Sequence, residues 1–185
     1  MFGLKYAVLA VDVEVSGCSV TQNGIVSMGA SLQDQDSNEL HAFQINLRLP
    51  EDRIYEEQCL KEFWLQNQRV YDFVRQNAVP PLKAMEEFYR FLTHVETSYP
   101  DLILVSDNPS VDITWLNLYL AEYTDRSPLN YSNTETYRII WDTHSMQKVL
   151  LSQRGDLESN LDLPEKLGFK SKWVHDHTPL NDART

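Results

Sequence analysis

Asp12 and Glu14 stand two residues apart at the end of an apolar run, Tyr6 to Val15. In an extended chain, side chains at i and i+2 share a face. Two carboxylates held side by side repel each other unless a cation lies between them, and a divalent metal ion answers that need. Asp112 falls in the first turn of a predicted helix that follows the apolar stretch Leu102 to Val105, with Ser110 as its expected N-cap. An acid at that place also interacts well with the helix dipole, so Asp112 by itself carries either meaning. Near the end of the chain, His177 precedes Thr178 and Pro179, an expected N-cap and first helical residue. Asp182 follows about one turn later. Four acids and one histidine therefore fall at element ends. Oxygen ligands of this kind suit Mg²⁺ or Mn²⁺, and two such ions about 3.5–4 Å apart clamp a phosphodiester for in-line attack. The string His175-Asp176-His177 leaves a second chemistry open, a zinc ion held by His175 and His177.

These residues need elements to position them. Tyr6 to Val15 reads as a strand buried on both faces. Gly24 to Leu32 and Leu40 to Leu47 read as two further strands, joined by the polar turn QDQDSN as a hairpin. Glu57 to Gln76 reads as one or two helices. After Pro80-Pro81, Leu82, Met85, Phe88, Tyr89, Leu92 and Val95 recur at helical spacing. Leu102 to Val105 is a short strand, and Ile113, Leu116, Leu120 and Tyr123 mark the helix after it. Residues 124–137 read as a loop, Arg138 to Trp141 as a strand, Thr143 to Gln153 as a helix and Leu161 to Leu167 as another. Three strands, then helices, then strand–helix twice more predict an α/β domain with a mixed sheet flanked by helices.

Composition narrows the function. The chain has 185 residues, 42% of them hydrophobic, which fits one domain, residues 1–185, with a core of its own. Sixteen Lys and Arg against twenty-seven Asp and Glu give a net charge of −11. That balance argues against gripping a long duplex through its phosphates, while leaving room for an enzyme that meets a chain end through bound metal. Two cysteines, Cys18 and Cys59, make neither a disulfide framework nor a four-thiolate zinc site, so an intracellular, cytoplasmic setting is expected. No apolar run is long enough to span a membrane, and the start of the chain reads as a strand rather than a signal peptide.

The motifs resemble those of the DEDDh exonucleases, 3′–5′ exonucleases of the ribonuclease H-like superfamily. The first is Val11-Asp12-Val13-Glu14-Val15-Ser16-Gly17. The second is Asn108-Pro109-Ser110-Val111-Asp112 with Trp115-Leu116, and the third is His177-Thr178-Pro179-Leu180-Asn181-Asp182-Ala183. Trp141-Asp142-Thr143 resembles the family's strand before its late helix. Phe63-Trp64 with Gln66-Asn67-Gln68 resembles the DexA-like exoribonuclease subgroup. Where the family often has a histidine before the second-motif asparagine, Ser106-Asp107-Asn108 stands here. Relatives also continue the last helix, which here reads as cut short.

The resemblance implies a ribonuclease H-like mixed sheet, three antiparallel strands followed by parallel ones. It implies a hydrolase that shortens single-stranded RNA or DNA from the 3′ end and releases 5′-mononucleotides. Two divalent ions, Mg²⁺ or Mn²⁺, would be the cofactors. Asp12 would bridge both, Glu14 and Asp182 would complete the first, Asp112 would support the second, and His177 would be the general base. Ser16, Gly17 and Cys18 would lie near the terminal nucleotide, with Asn108 beside the site. Trp64 or Phe63 would stack on a base, and Lys172, with Lys166 and Lys170, would meet backbone phosphates. Two alternatives stay open: a nucleic-acid-binding module of the same fold without catalysis, and a zinc hydrolase built on His175 and His177. Oligomeric state is left open between monomer and homodimer.

Overall fold

The computed structural model describes residues 6–126, 128–129, 138–153, 167–168, 173 and 175–184. The first strand, β1 (Ala7–Val15), is followed by β2 (Ile25–Asp34) and β3 (Glu39–Asn46). A short helix, α1 (Glu57–Cys59), runs into a π-helical turn at Leu60–Trp64, and α2 (Gln68–Arg75) and α3 (Pro81–Ser98) come next. Then β4 (Leu102–Ser106) leads into α4 (Asp112–Tyr123), and β5 (Ile140–Asp142) into α5 (Thr143–Gln153). The last described element is α6 (Pro179–Arg184). The predicted helix over 161–167 lies almost wholly outside the described residues. No described helix is long and apolar enough to cross a membrane.

The five strands form one sheet in the order β3-β2-β1-β4-β5. β1, β2 and β3 are antiparallel neighbours, and β4 and β5 are parallel additions. This is the ribonuclease H-like mixed sheet that the motifs imply. The core forms where Leu9, Val11 and Val13 of β1 meet Met85, Phe88 and Leu92 of α3 and Ile113, Leu116 and Leu120 of α4. Burying each such side chain contributes about 1.5–3 kcal/mol. A smaller cluster gathers Val26, Trp64, Val70 and Val74.

One expectation changes strand. β1 alternates, one face buried and the other half-buried, whereas β2 is buried at eight successive positions. β1 carries its acids, Asp12 and Glu14, on the half-buried face. β2 reads less apolar because Ser27, Gly29 and Ser31 interrupt it, yet these small residues are what let another element lie close on that face.

Candidate active site

β1 pairs with β4 only from Ala7↔Leu102 to Ala10↔Val105. Its last residues therefore project past the C-terminal end of β4, where open α/β sheets leave a crevice. Asp12 and Glu14 lie on that overhang, on the face opposite the Leu9, Val11 and Val13 core. β4 gives way to the turn before α4, and Asp112 sits 3% exposed in the first turn of that helix. Its Oδ1 accepts the Val13 amide at 3.2 Å and its Oδ2 accepts the Ser106 hydroxyl. The carboxylate thus completes the edge of β1 that β4 leaves uncovered. The expected cap, Ser110, instead donates to Asn108 Oδ1 at 2.6 Å, and no side chain caps α4.

The third part arrives from the other end of the chain. In register, Asp12 faces Gly29 and Glu14 faces Ser27, and paired residues share a face of the sheet. The start of α6 lies on that face. A Cβ on Gly29 would come within 2.2 Å of the Leu180 nitrogen. Glycine at 29 is what lets α6 approach and set Asp182 beside Asp12. The helix is pinned by its neighbours. The Leu180 amide donates to Gln44 Oε1 on β3 at 2.8 Å, and the Arg184 guanidinium grips Glu39 at 2.6 and 2.7 Å. Thr178 does not cap through its hydroxyl, which donates to Asp176, so the first-turn amide of Leu180 is met from another strand. The segment before α6 is held where the Arg69 guanidinium meets Asp176 at 2.9 Å. Asp182 Oδ1 accepts the Asp176 amide at 3.0 Å and lies 3.2 Å from His175 Nδ1.

The outcome is two carboxylate triads with one member in common. Asp12, Glu14 and Asp182 bring ligand oxygens within 4.8 Å of one another, and so do Asp12, Asp107 and Asp112. Asp12 Oδ2 is buried with no hydrogen-bond partner. Burial, and then the neighbouring Asp112, hold the Asp12 carboxyl well above the ordinary range. Burial followed by Asp182 pushes Glu14 up to about 8, and burial pushes Asp112 up to about 7. Burial also raises Asp182, against the pull of the Asp176 amide and the two histidines. Such a cluster is poorly satisfied by its own side chains. An orphaned buried oxygen on the residue that the two oxygen triads share fits divalent cations.

His177 takes φ +60°, a left-handed conformation that costs a non-glycine residue about 1–3 kcal/mol. Its ring meets Phe63 edge-on at 5.1 Å and His175 at 4.7 Å between centroids. His175, His177 and Asp182 form a third group with ligand atoms within 4.8 Å.

The expected substrate contacts fare differently. Trp64 is fully buried among Tyr55, Phe63 and Tyr71 and offers no face to a base; Phe63, half-buried beside His177, holds the position at the site. The pair is amphipathic in arrangement, and which ring faces inward is set by the π-helical turn, which periodicity does not reveal. Ser16 is 0% exposed, and its hydroxyl donates to the Ile54 carbonyl and accepts the Gly24 amide, so it staples a loop. Gly17 is explained by packing, since a Cβ there would fall 2.5 Å from that of Glu56. Cys18 is exposed with its amide donating to Glu56. Asn108 is exposed at the turn before α4. Lys166, Lys170 and Lys172 lie outside the described residues. Sequence reasoning missed Asp107. Its signal was present in the departure at Ser106-Asp107-Asn108, where a carboxylate occupies the place of the family's frequent histidine.

No family model matches the chain, and no curated protein sequence matches it. Solved structures do. Exonuclease I of E. coli in complex with a dT13 oligonucleotide superposes with a TM-score of 0.72 over 96% of this chain, at 12% identity. The nuclease domain of 3′hExo, described as a DEDDh family member bound to rAMP, gives 0.67 over 98% at 12% identity. Cell-death related nuclease 4 gives 0.63 over 96% at 15% identity. The fold is shared with these nuclease domains. This chain spans 39% of that exonuclease I chain, 60% of the cell-death related nuclease and 88% of the 3′hExo domain.

Proposed function

We propose that this chain is a metal-dependent 3′–5′ exonuclease of the DEDDh kind, acting on single-stranded 3′ ends and releasing 5′-mononucleotides. The observation that carries the proposal is the pair of oxygen triads sharing Asp12, with Asp12 Oδ2 buried and unpartnered. The neighbours in complex with single-stranded DNA or with rAMP support the substrate class.

Asp12, Glu14 and Asp182 would hold a first Mg²⁺ or Mn²⁺, and Asp12, Asp107 and Asp112 a second. When bound, the two ions supply charge neutralisation at the scissile phosphate and lower the pKa of the attacking water. The residues of the chain do the rest. Asp12 and Glu14 are fixed by strand register and need little reorganisation. Ser106 and the Val13 amide orient Asp112. His177 accepts the proton of the attacking water at a ring nitrogen, and Phe63 limits the swing of that ring. A half-buried Phe63 also lines the approach of the terminal base. The raised carboxyls would carry protons in the ion-free chain and release them as cations bind.

The test is incubation of matched 5′-labelled RNA and DNA oligomers with Mg²⁺, Mn²⁺ or chelator. A ladder shortening from the 3′ end in metal alone is expected. Binding of oligomer in chelator with no shortening in either metal would sink the proposal in favour of a binding module.

A further inference from the structure

The His175–His177–Asp182 group does not belong to either oxygen triad, although it shares Asp182 with one of them. We propose that it is a zinc site that acts as a brake on the nuclease, an inference that rests on the nuclease reading above. Two imidazoles and one carboxylate are the donor set zinc favours when a fourth position stays open. Magnesium favours oxygen donors and is served by the triads next to it. The spacing fits as well. Ligands about 2.0–2.1 Å from a tetrahedral zinc ion stand about 3.3 Å apart. His175 Nδ1 and Asp182 Oδ1 are 3.2 Å apart, with the His175 side chain 55% exposed and reachable from solvent. The left-handed turn at His177 brings the two rings within 4.7 Å, although they are only two residues apart.

Zinc bound there interferes at two points. It draws Asp182 away from the first triad, and it occupies the nitrogen lone pair with which His177 takes a proton. His175 is needed for zinc but belongs to neither oxygen triad, which it touches only through Asp182, so each variant's cleavage is read against its own zinc-free rate.

The experiment titrates the full chain with Zn²⁺ alone against a chromophoric zinc indicator, for wild type, His175→Ala and His175→Gln. Circular dichroism checks folding, and His175→Gln serves if the alanine variant is unstable. Weakening of the tight zinc site by about tenfold or more is expected, since even outer partners of a metal cost that much. In Mg²⁺, zinc should inhibit cleavage competitively, and the half-inhibiting zinc concentration should rise by the same factor in the variants, each normalised to its own zinc-free rate. Equal zinc affinity in all three proteins overturns the site. Hydrolysis in Zn²⁺ alone as fast as in Mg²⁺ overturns the brake and favours a zinc hydrolase. Loss of zinc affinity in the variants with no cleavage in any metal upholds the site while the nuclease reading, and with it the brake, falls.

Discussion

The candidate site has two walls of different construction. The sheet wall presents Asp12 and Glu14 from β1 and Asp112 from α4, all fixed by strand register and by the Val13 amide. The helix wall presents His175, His177 and Asp182 from a six-residue helix and the segment before it. That wall buries Pro179 and Ala183 against the sheet. It is held by Gln44, by Glu39, by Arg69 and by the absence of a side chain at Gly29. The sheet wall is fixed by its backbone pairing, while the helix wall is fixed by side-chain bonds from distant residues, and Asp182 shares the sheet wall's unmet charge. The two walls meet at Asp12 and Asp182, one set by strand register and the other by contacts between distant parts of the chain.

The largest effect should come from the shared ligand. Asp12→Ala removes the carboxylate common to both triads, so cleavage of a labelled oligomer should be abolished while circular dichroism stays native. Unchanged turnover would place the site elsewhere. On the helix wall, His177→Ala should slow cleavage by about 10²–10⁴-fold with Mg²⁺ binding by calorimetry preserved. Loss of Mg²⁺ binding instead would move His177 among the ligands of the oxygen triads.

Gly29→Ala attacks the seam between the walls. Its Cβ cannot coexist with the Leu180 backbone, and overpacking of this kind costs about 1–3 kcal/mol. Denaturant midpoints should fall, and cleavage should drop more than metal affinity of the sheet wall.

The sheet wall should also announce itself in pH. Glu14 is pushed up to about 8 and Asp112 up to about 7, so each binds a proton when folded that it has released when unfolded. Their contribution to stability is complete below the ordinary carboxyl range and is lost as pH rises through 7 and 8. Ion-free melting temperature should therefore decline across that window, and Mg²⁺ should flatten the decline. Asp112→Asn should gain about 1 kcal/mol or more at pH 8 without metal, and lose cleavage. A flat ion-free profile would mean that the acids are already compensated. The smallest effect is expected at Gln44→Ala, about 1 kcal/mol for one hydrogen bond, with cleavage reduced more than stability suggests because Asp182 loses its anchor.

Much of the fold was legible. Nearly continuous apolar runs gave β1 and β4, and alternating charge and turn residues placed the β2–β3 hairpin, because burial imposes its own period on a chain. The helix over 143–153 was equally visible and begins where Asp142 accepts the Ser145 amide at 2.8 Å. Less visible was which strand lies deepest, since small polar residues on β2 disguise a face covered by α6. Trp64 and Phe63 were indistinguishable for a related reason: hydrophobicity says that a ring prefers burial, and only a particular turn says which of two neighbours obtains it.

By itself the sequence determined the reactive groups and their local supports: Asp12 and Glu14 on one strand face, Asp112 at a helix start, His177 before a proline-led helix. Those are matters of short-range geometry, where period and propensity suffice. Only the tertiary structure decided that Asp107 joins them, that Gly29 makes room for α6, and that Gln44 caps that helix from β3. Such contacts join residues far apart in the chain, and packing rather than local preference selects them.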